Sequence, residues 1–224
     1  MKFSHKKVIL FDLDGTLINS APDLALAVNH MLQSLNRNTF NEEIIDMWVG
    51  NGANMLVRRA LSGQSVIDES LDPSLVENAL KIFLDVYGKN LCNATVTYSN
   101  VPATLFSLKE KNYRLAIVTN KPFAFVDPIL DGLGLNDLFD LILGGDSLPE
   151  KKPSSMPFLH VSKTLNVDVN ECVMVGDSKN DILAANACGM ESVGVTYGYN
   201  YGEDIGVYHP DIIINDFAEL LEIL

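Results

Sequence analysis

Cysteine is scarce in this 224-residue chain, and the three present, Cys92, Cys172 and Cys188, form an odd set with no C-x-x-C pair. That pattern fits free thiols in a reducing cytosol and not a disulfide framework. Long apolar runs are missing too: none approaches the ~18 residues that a membrane-spanning helix needs. The opening Met1-Lys2-Phe3-Ser4-His5-Lys6-Lys7 is followed only by the short run Val8 to Phe11, without the apolar region and cleavage site of a signal peptide. The expectation is a cytoplasmic protein with no membrane partner. Basic residues are the minority, with 16 Lys and Arg against 29 Asp and Glu and a net charge of −13. Such a surface repels phosphate backbones, so no nucleic-acid partner is expected. Gly and Pro, 15 and 9 residues, are too few for a low-complexity or collagen-like chain. The histidines His5, His30, His160 and His209 show no metal-ligand spacing.

What is present is an ordinary globular mixture, 47% hydrophobic and 20% charged, long enough for one or two domains. The acidity serves solubility or leaves some carboxylates for a cation; composition does not separate the two. Lys7 to Asp12, Arg114 to Thr119 and Glu171 to Asp177 are apolar, β-branched runs that each end in a polar residue. Weaker runs are Leu141 to Leu143, Ser192 to Val195 and Asp211 to Ile214. Continuous apolar strands indicate burial on both faces, as in a parallel sheet. Helical patterns fall between them at 101–111, 122–133, 153–165, 181–188 and 216–224. This alternation predicts an α/β, Rossmann-like, doubly wound parallel sheet. Residues 22–35, 42–48, 54–61 and 73–91 all read as helices with no strand among them. They predict an inserted all-helical cap over 17–93, with the core formed by 1–16 and 94–224 and linkers near 17–21 and 90–96.

Ligands bind at the carboxyl ends of parallel strands, where Asp12, Asp14, Thr119, Asn120, Asp146 and Asp177 are expected to project. In Asp12-Leu13-Asp14-Gly15-Thr16, residues i and i+2 of an extended chain share a side. Two close carboxylates raise one pKa, so one acid stays protonated beside an ionised neighbour. An ionised Asp can attack phosphorus without a separate base and form an aspartyl-phosphate. The protonated neighbour can then serve the leaving oxygen and, later, the attacking water. Gly15 permits the tight turn. Gly176-Asp177-Ser178-x-x-Asp181 adds a carboxylate 165 positions beyond Asp12, and Mg²⁺ takes one or two carboxylates with waters and substrate phosphate. Asp177 or Ser178 is also the expected cap of the next helix. An incoming phosphoryl group requires positive charge and donors. Thr119-Asn120 and a lysine of Glu150-Lys151-Lys152-Pro153, at the expected opening of a helix, supply them; residue chemistry alone does not choose Lys152 over Lys151.

Phe11-Asp12-Leu13-Asp14-Gly15-Thr16-Leu17, Val118-Thr119-Asn120, Lys152-Pro153 and Gly176-Asp177-Ser178-x-x-Asp181 resemble, in order, the four motifs of the haloacid dehalogenase superfamily. The resemblance implies a Mg²⁺-dependent phosphomonoester hydrolase, with Asp12 as nucleophile and Asp14 as general acid and base. It implies Thr119, Asn120 and Lys152 on the phosphoryl group. Mg²⁺ is expected on Asp12, Asp177 and the backbone carbonyl of Asp14, with Gly15, Thr16, Ser178 and Asp181 supporting them. Val49-Gly50-Asn51-Gly52 with Arg59-Ala60-Leu61, Thr119-Asn120-Lys121-Pro122 and the run Ser192 to Gly202 carry a narrower resemblance within the superfamily, which implies a small anionic phosphate ester as partner, 2-phosphoglycolate first, turned over by a monomer or homodimer. The alternatives are another small ester, a sugar phosphomutase of the same superfamily, or a non-catalytic phospho-ligand binder. Ser155 departs from the proline that many relatives carry there. The turn Gly50-Asn51-Gly52 precedes a helix and is expected to offer N–H groups to a substrate carboxylate, with Arg58 or Arg59 assisting.

Overall fold

A computed structural model describes residues 2–224. Its main sheet has six parallel strands: β1 (Val8–Phe11), β4 (Arg114–Val118), β5 (Leu141–Leu143), β6 (Cys172–Gly176), β7 (Glu191–Val195) and β8 (Ile212–Ile214). Their order is β5-β4-β1-β6-β7-β8. β1 is central because all four of its side chains are apolar and fully buried. Successive residues alternate faces. Ile9 and Phe11 join a core layer with Leu115, Ile117, Val173 and Val175. Val8 and Leu10 join the opposite layer with Ala116, Val118, Cys172 and Met174. Later strands add to either side of β1, which makes its carboxyl end a topological switch point, where a crevice opens.

Register then aligns the strand ends. Phe11 pairs with both Ile117 and Val175. The Asp12 N–H donates to the Val175 carbonyl at 3.0 Å and that of Thr119 to Leu143 at 3.0 Å. Asp12, Thr119 and Asp177 thus each follow directly on a buried strand and share one edge.

Between β1 and β4 the chain forms α1 (Ala21–Ser34), α2 (Glu42–Asp46), α3 (Ala53–Ser62) and α4 (Pro73–Gly88). Pro73 occupies the first turn of α4, and the Asp72 carboxylate accepts from the Ser74 N–H at 2.9 Å. Gly63 ends α3 in the left-handed conformation. These helices bury their own cluster, including Met31, Trp48, Val57, Phe83 and Tyr87. Trp48 packs edge-on against Phe40. No helix among the described residues is long and apolar enough to cross a membrane.

The segments joining these helices to the sheet differ from plain linkers. β2 (Ile18–Asn19) pairs antiparallel with β3 (Val96–Thr97). The buried Asp23 carboxylate pins the second connection, accepting from the N–H groups of Ala94 and Thr95 and from the Thr95 hydroxyl. Strands of two residues carry no readable period. Three helical stretches also start later than their patterns suggest. α5 (Val101–Glu110) and α8 (Lys179–Cys188) are continuous, but 122–133 divides into a 3-10 turn and α6 (Val126–Gly132). Pro128 lies in the first turn of α6, where a ring without an N–H is tolerated. α7 (Met156–Thr164) likewise places Pro157 in its first turn. The last stretch is a 3-10 turn, Phe217–Glu219, before α9 (Leu220–Ile223).

Asp46, at the end of α2, is half-buried, and its pKa is pushed up to about 6 by burial and then by Glu42 and Glu43. The unfolded carboxyl loses its proton near 3.8. Between about pH 4 and 6 the unfolded chain has therefore shed a proton that the folded one keeps, so stability falls as pH rises through that window. Asp46→Asn removes this penalty and is expected to stabilise the protein at pH 7 by about 1 kcal/mol, once solvent screening is allowed for. Denaturant melts at pH 4 and pH 7 check it: a gain of equal size at both would refute the electrostatic origin.

Candidate active site

Asp12 sits at the carboxyl end of the central strand, almost fully buried. Its Oδ1 accepts from the Leu13 N–H at 2.7 Å and lies 3.0 Å from Lys152 Nζ. Lys152 is buried as well, and its ammonium donates to Asp181 Oδ1 at 2.6 Å. Asp177 completes the group: ligand oxygens of Asp12, Asp177 and Asp181 all lie within 4.8 Å of one another. Burial raises Asp12 to about 7, Lys152 opposes that rise, and Asp181 adds to it. Burial, Asp12 and Asp181 together hold Asp177 well above the ordinary carboxylate range. Burial alone would lower Lys152, but Asp12 and Asp181 more than reverse it. Three converging buried carboxylates with one lysine carry excess negative charge, and an oxygen-preferring divalent cation matches that donor set.

The three acids are not equivalent. Asp181 is committed: Oδ1 takes Lys152, and Oδ2 accepts from the Ser178 N–H and hydroxyl. Ser178 is the cap of α8, its hydroxyl accepting from the Asn180 N–H at 3.3 Å. Asp177 is therefore free of capping and is aimed by the Thr16 hydroxyl at 2.6 Å and the Tyr199 N–H at 2.7 Å. Gly15 has φ +88°, and a Cβ there would lie 2.3 Å from Asp177 Oδ2. A side chain at position 15 would displace the carboxylate, so glycine is required for contact as well as for conformation.

Asp14 enters the same cleft, but not as the repelling partner expected for Asp12. Its Oδ1 accepts from Lys121 Nζ at 2.7 Å and from the Ser20 hydroxyl. The carboxylate that pushes Asp12 up is Asp181. Folding brings a lysine to Asp14 across 107 positions, and opposite charge at contact outweighs a more distant like charge. Lys121 remains charged: burial would lower its pKa, and contact with the Asp14 carboxylate more than reverses that.

Thr119 and Asn120 line the cleft beside Asp12. Asn120 Nδ2 donates to the carbonyls of Lys152 at 3.0 Å and Gly50 at 3.1 Å, so it ties the lysine loop to the helical segment. Lys152 belongs to that loop and does not open a helix, since α7 starts at Met156 with Ser155 as its cap. Lys151 turns the other way and donates to the Asn51 carbonyl at 2.8 Å. Asp146 is exposed and accepts from the Phe123 N–H at 2.8 Å, which places it outside the acidic group.

The Gly50-Asn51-Gly52 turn lies against the sheet edge, and Gly50 and Gly52 line the cleft. Asn51 Oδ1 accepts from the Tyr201 hydroxyl at 2.8 Å and from Arg59 at 2.8 Å. Arg59 also donates to the Trp48 carbonyl at 2.7 Å. It braces the turn from behind and does not line the cleft. Arg58 pairs with Glu69 at 3.6 Å and does not line it either. The expected contact of either arginine with an anion in the cleft is thus not what the structure shows. At Gly50, φ is +116° and a Cβ would approach the Tyr201 hydroxyl to 2.5 Å. Gly50→Ala strains the turn by about 1–2 kcal/mol. It is expected to raise KM roughly tenfold, for a substrate held under the turn; steady-state kinetics with KM unchanged would refute this.

Sequence reasoning assigns no site role to Lys121, Tyr199 and Tyr201, although they lie in segments that carry the resemblance, nor to Tyr87 and Asn180. Asn180 donates to the Tyr201 hydroxyl at 3.1 Å and the Gly50 carbonyl at 3.3 Å. Tyr199 donates its hydroxyl to Asn19 at 2.6 Å. The tyrosine-rich run Tyr197-Gly198-Tyr199-Asn200-Tyr201 directly after a strand was the available signal, since polar-tipped aromatics are frequent where two surfaces meet.

The haloacid dehalogenase-like hydrolase family model matches residues 9–195. The phosphoglycolate phosphatase of Colwellia psychrerythraea is 56% identical, covering 99% of this chain and 98% of its own. That of Psychrobacter arcticus is 46% identical over 98% of this chain and 96% of its own. The crystal structure of a predicted phosphoglycolate phosphatase from Haemophilus somnus superposes with a TM-score of 0.91 at 42% identity, covering 98% of each chain.

Proposed function

The chain belongs to the haloacid dehalogenase-like hydrolases, and from that premise we propose that it is a Mg²⁺-dependent phosphatase whose substrate is 2-phosphoglycolate. Residues 1–16 and 94–224 act as the catalytic core and 17–93 as its cap. The observation carrying the reading is the buried Asp12 carboxylate, 3.0 Å from Lys152 and grouped with Asp177 and Asp181. The substrate follows from the names of the full-length relatives.

Asp12 attacks phosphorus: its carboxylate oxygen forms a bond to phosphorus as the ester oxygen departs. With substrate bound, Asp14 carries a proton on Oδ2 while Lys121 stays on Oδ1, and it donates that proton to the departing oxygen, releasing glycolate. It then takes a proton from the water that attacks the aspartyl-phosphate, and the phosphorus–carboxylate bond breaks to free phosphate. Both contacts to Asp14, from Ser20 and Lys121, fall on Oδ1, which leaves Oδ2 for proton transfer. Thr119, Asn120 and Lys152 orient the phosphoryl oxygens, and Lys152 offsets charge that accumulates there. Asp12, Asp177 and the Asp14 backbone carbonyl would hold a Mg²⁺, which would supply charge neutralisation to the phosphoryl oxygens. Asp181 keeps Lys152 in place.

Phosphate release from a panel of esters, with Mg²⁺ and with EDTA, tests this. 2-Phosphoglycolate is expected to lead, and EDTA to abolish turnover. Faster turnover of another ester would replace the substrate, and isomerisation of a sugar phosphate without release would replace the reaction.

A further inference from the structure

The cleft must hold more than a phosphoryl group. In 2-phosphoglycolate one methylene separates the ester oxygen from a carboxylate, so the second anion must be met next to the phosphoryl site. Lys152 does not serve it, because Asp12 and Asp181 already flank that ammonium. Among the described residues, Lys121 is the only cationic side chain lining the cleft. It is buried, follows Thr119 by two positions, and its N–H donates to the Thr119 hydroxyl at 3.2 Å. Only one of its three ammonium hydrogens is needed for Asp14.

A second, independent feature lies across from it on α4. The Tyr87 hydroxyl is buried and has no hydrogen-bond partner among the described residues. Leaving a buried hydroxyl unpaired is unfavourable, so an acceptor is called for there. The ring is fixed by stacking on Phe83 at 5.7 Å and by an edge contact with Phe125 at 5.3 Å. Lys121 Nζ lies over the same ring, 4.8 Å from its centroid. Burial pushes the phenol up to about 12, so at neutral pH it is a donor. The remaining wall is apolar, with Leu24, Val49, Leu56 and Phe83, which leaves a wide polar substituent no partner.

We propose that Lys121 and Tyr87 form the subsite for the substrate's second anion, a carboxylate that accepts from the Lys121 ammonium and the Tyr87 hydroxyl. The inference rests on the phosphatase reading above. Lys121 belongs to the core and Tyr87 to the cap helix α4, so the carboxylate joins the two when bound. An ester lacking the second anion makes neither contact, which sets specificity for small phosphorylated hydroxy acids.

The readout is a preference ratio, kcat/KM for 2-phosphoglycolate over kcat/KM for ethyl phosphate, with 2-phospholactate as a second carboxylated ester. Lys121→Met is expected to cut the ratio at least about tenfold, and Tyr87→Phe about three- to tenfold. If Lys121 acted only by positioning Asp14, both esters would slow equally and the ratio would stand, overturning the subsite. Tyr87→Phe keeps the ring and the packing, so it decides the matter should Lys121→Met fold poorly. A wild type that favours 2-phospholactate, with that preference lost in both variants, would support the subsite while displacing the proposed substrate. A wild type that favours 2-phosphoglycolate with ratios unchanged in the variants would overturn the subsite alone. No preference for either carboxylated ester in the wild type would overturn both.

Discussion

Asp12→Asn is expected to lower kcat by roughly 10⁴-fold or more, on the scale seen when a covalent nucleophile is removed. Asparagine keeps the shape of the side chain but has no carboxylate oxygen to bond phosphorus. The fold should not suffer. Burial and Asp181 hold the native carboxyl at about 7, so as an anion it opposes its own surroundings, and the amide removes that repulsion. Lys152 keeps Asp181, at 2.6 Å, as its remaining partner. The expected signature is a melting temperature in EDTA equal to or above that of the wild type, with turnover lost. Acid-quenched wild-type enzyme should carry a phosphoryl group on the peptide containing Asp12, and the variant none. A variant retaining more than about a tenth of wild-type kcat would refute the nucleophile.

Asp177→Asn separates metal binding from folding. The native carboxylate accepts from the Thr16 hydroxyl and the Tyr199 N–H. An asparagine can satisfy both, accepting from Tyr199 with its oxygen and donating to the Thr16 oxygen with its amide. It also relieves the repulsion among Asp12, Asp177 and Asp181. Without metal the variant should therefore be at least as stable as the wild type. With Mg²⁺ at a hundred times its Kd the wild type gains about 2.7 kcal/mol, or roughly 5–10 °C in Tm for a chain of this size. The variant should lose most of that shift, and its kcat should fall by about 10²–10³. Scanning calorimetry with Mg²⁺ and with EDTA gives the comparison, and an undiminished Mg²⁺ shift in the variant would rule Asp177 out as a ligand.

Much of the fold was legible because its signals are local. The run from Val8 to Phe11 is wholly apolar, and so are most of β4 and β6; this identifies strands covered on both faces. A polar residue directly after each run then lies at the ligand edge by the geometry of a parallel sheet. Pro128 and Pro157 lie in first turns and mark where α6 and α7 begin, later than the helical patterns suggest. The pairing of charges was not legible. Sequence proximity sets Asp14 against Asp12, whereas its partner in the fold is Lys121. Arg58 and Arg59 are both near the glycine turn in sequence and both candidates to assist it, yet Arg59 braces Asn51 from behind and Arg58 pairs with Glu69.

The adjacent lysines show where the division falls. Lys151 and Lys152 are equivalent in composition and position, but Lys152 is buried against Asp12 and Asp181, while Lys151 reaches the Asn51 carbonyl. Burial on two faces and helical period are properties of neighbouring residues, so the parallel sheet, the inserted helices and the strand-end acids follow from residue order. Tertiary structure alone decided which lysine meets which carboxylate and set Tyr87 over Lys121. Those contacts depend on the register of strands and on how the helices pack over the sheet edge, and both are set by contacts between residues far apart in the chain.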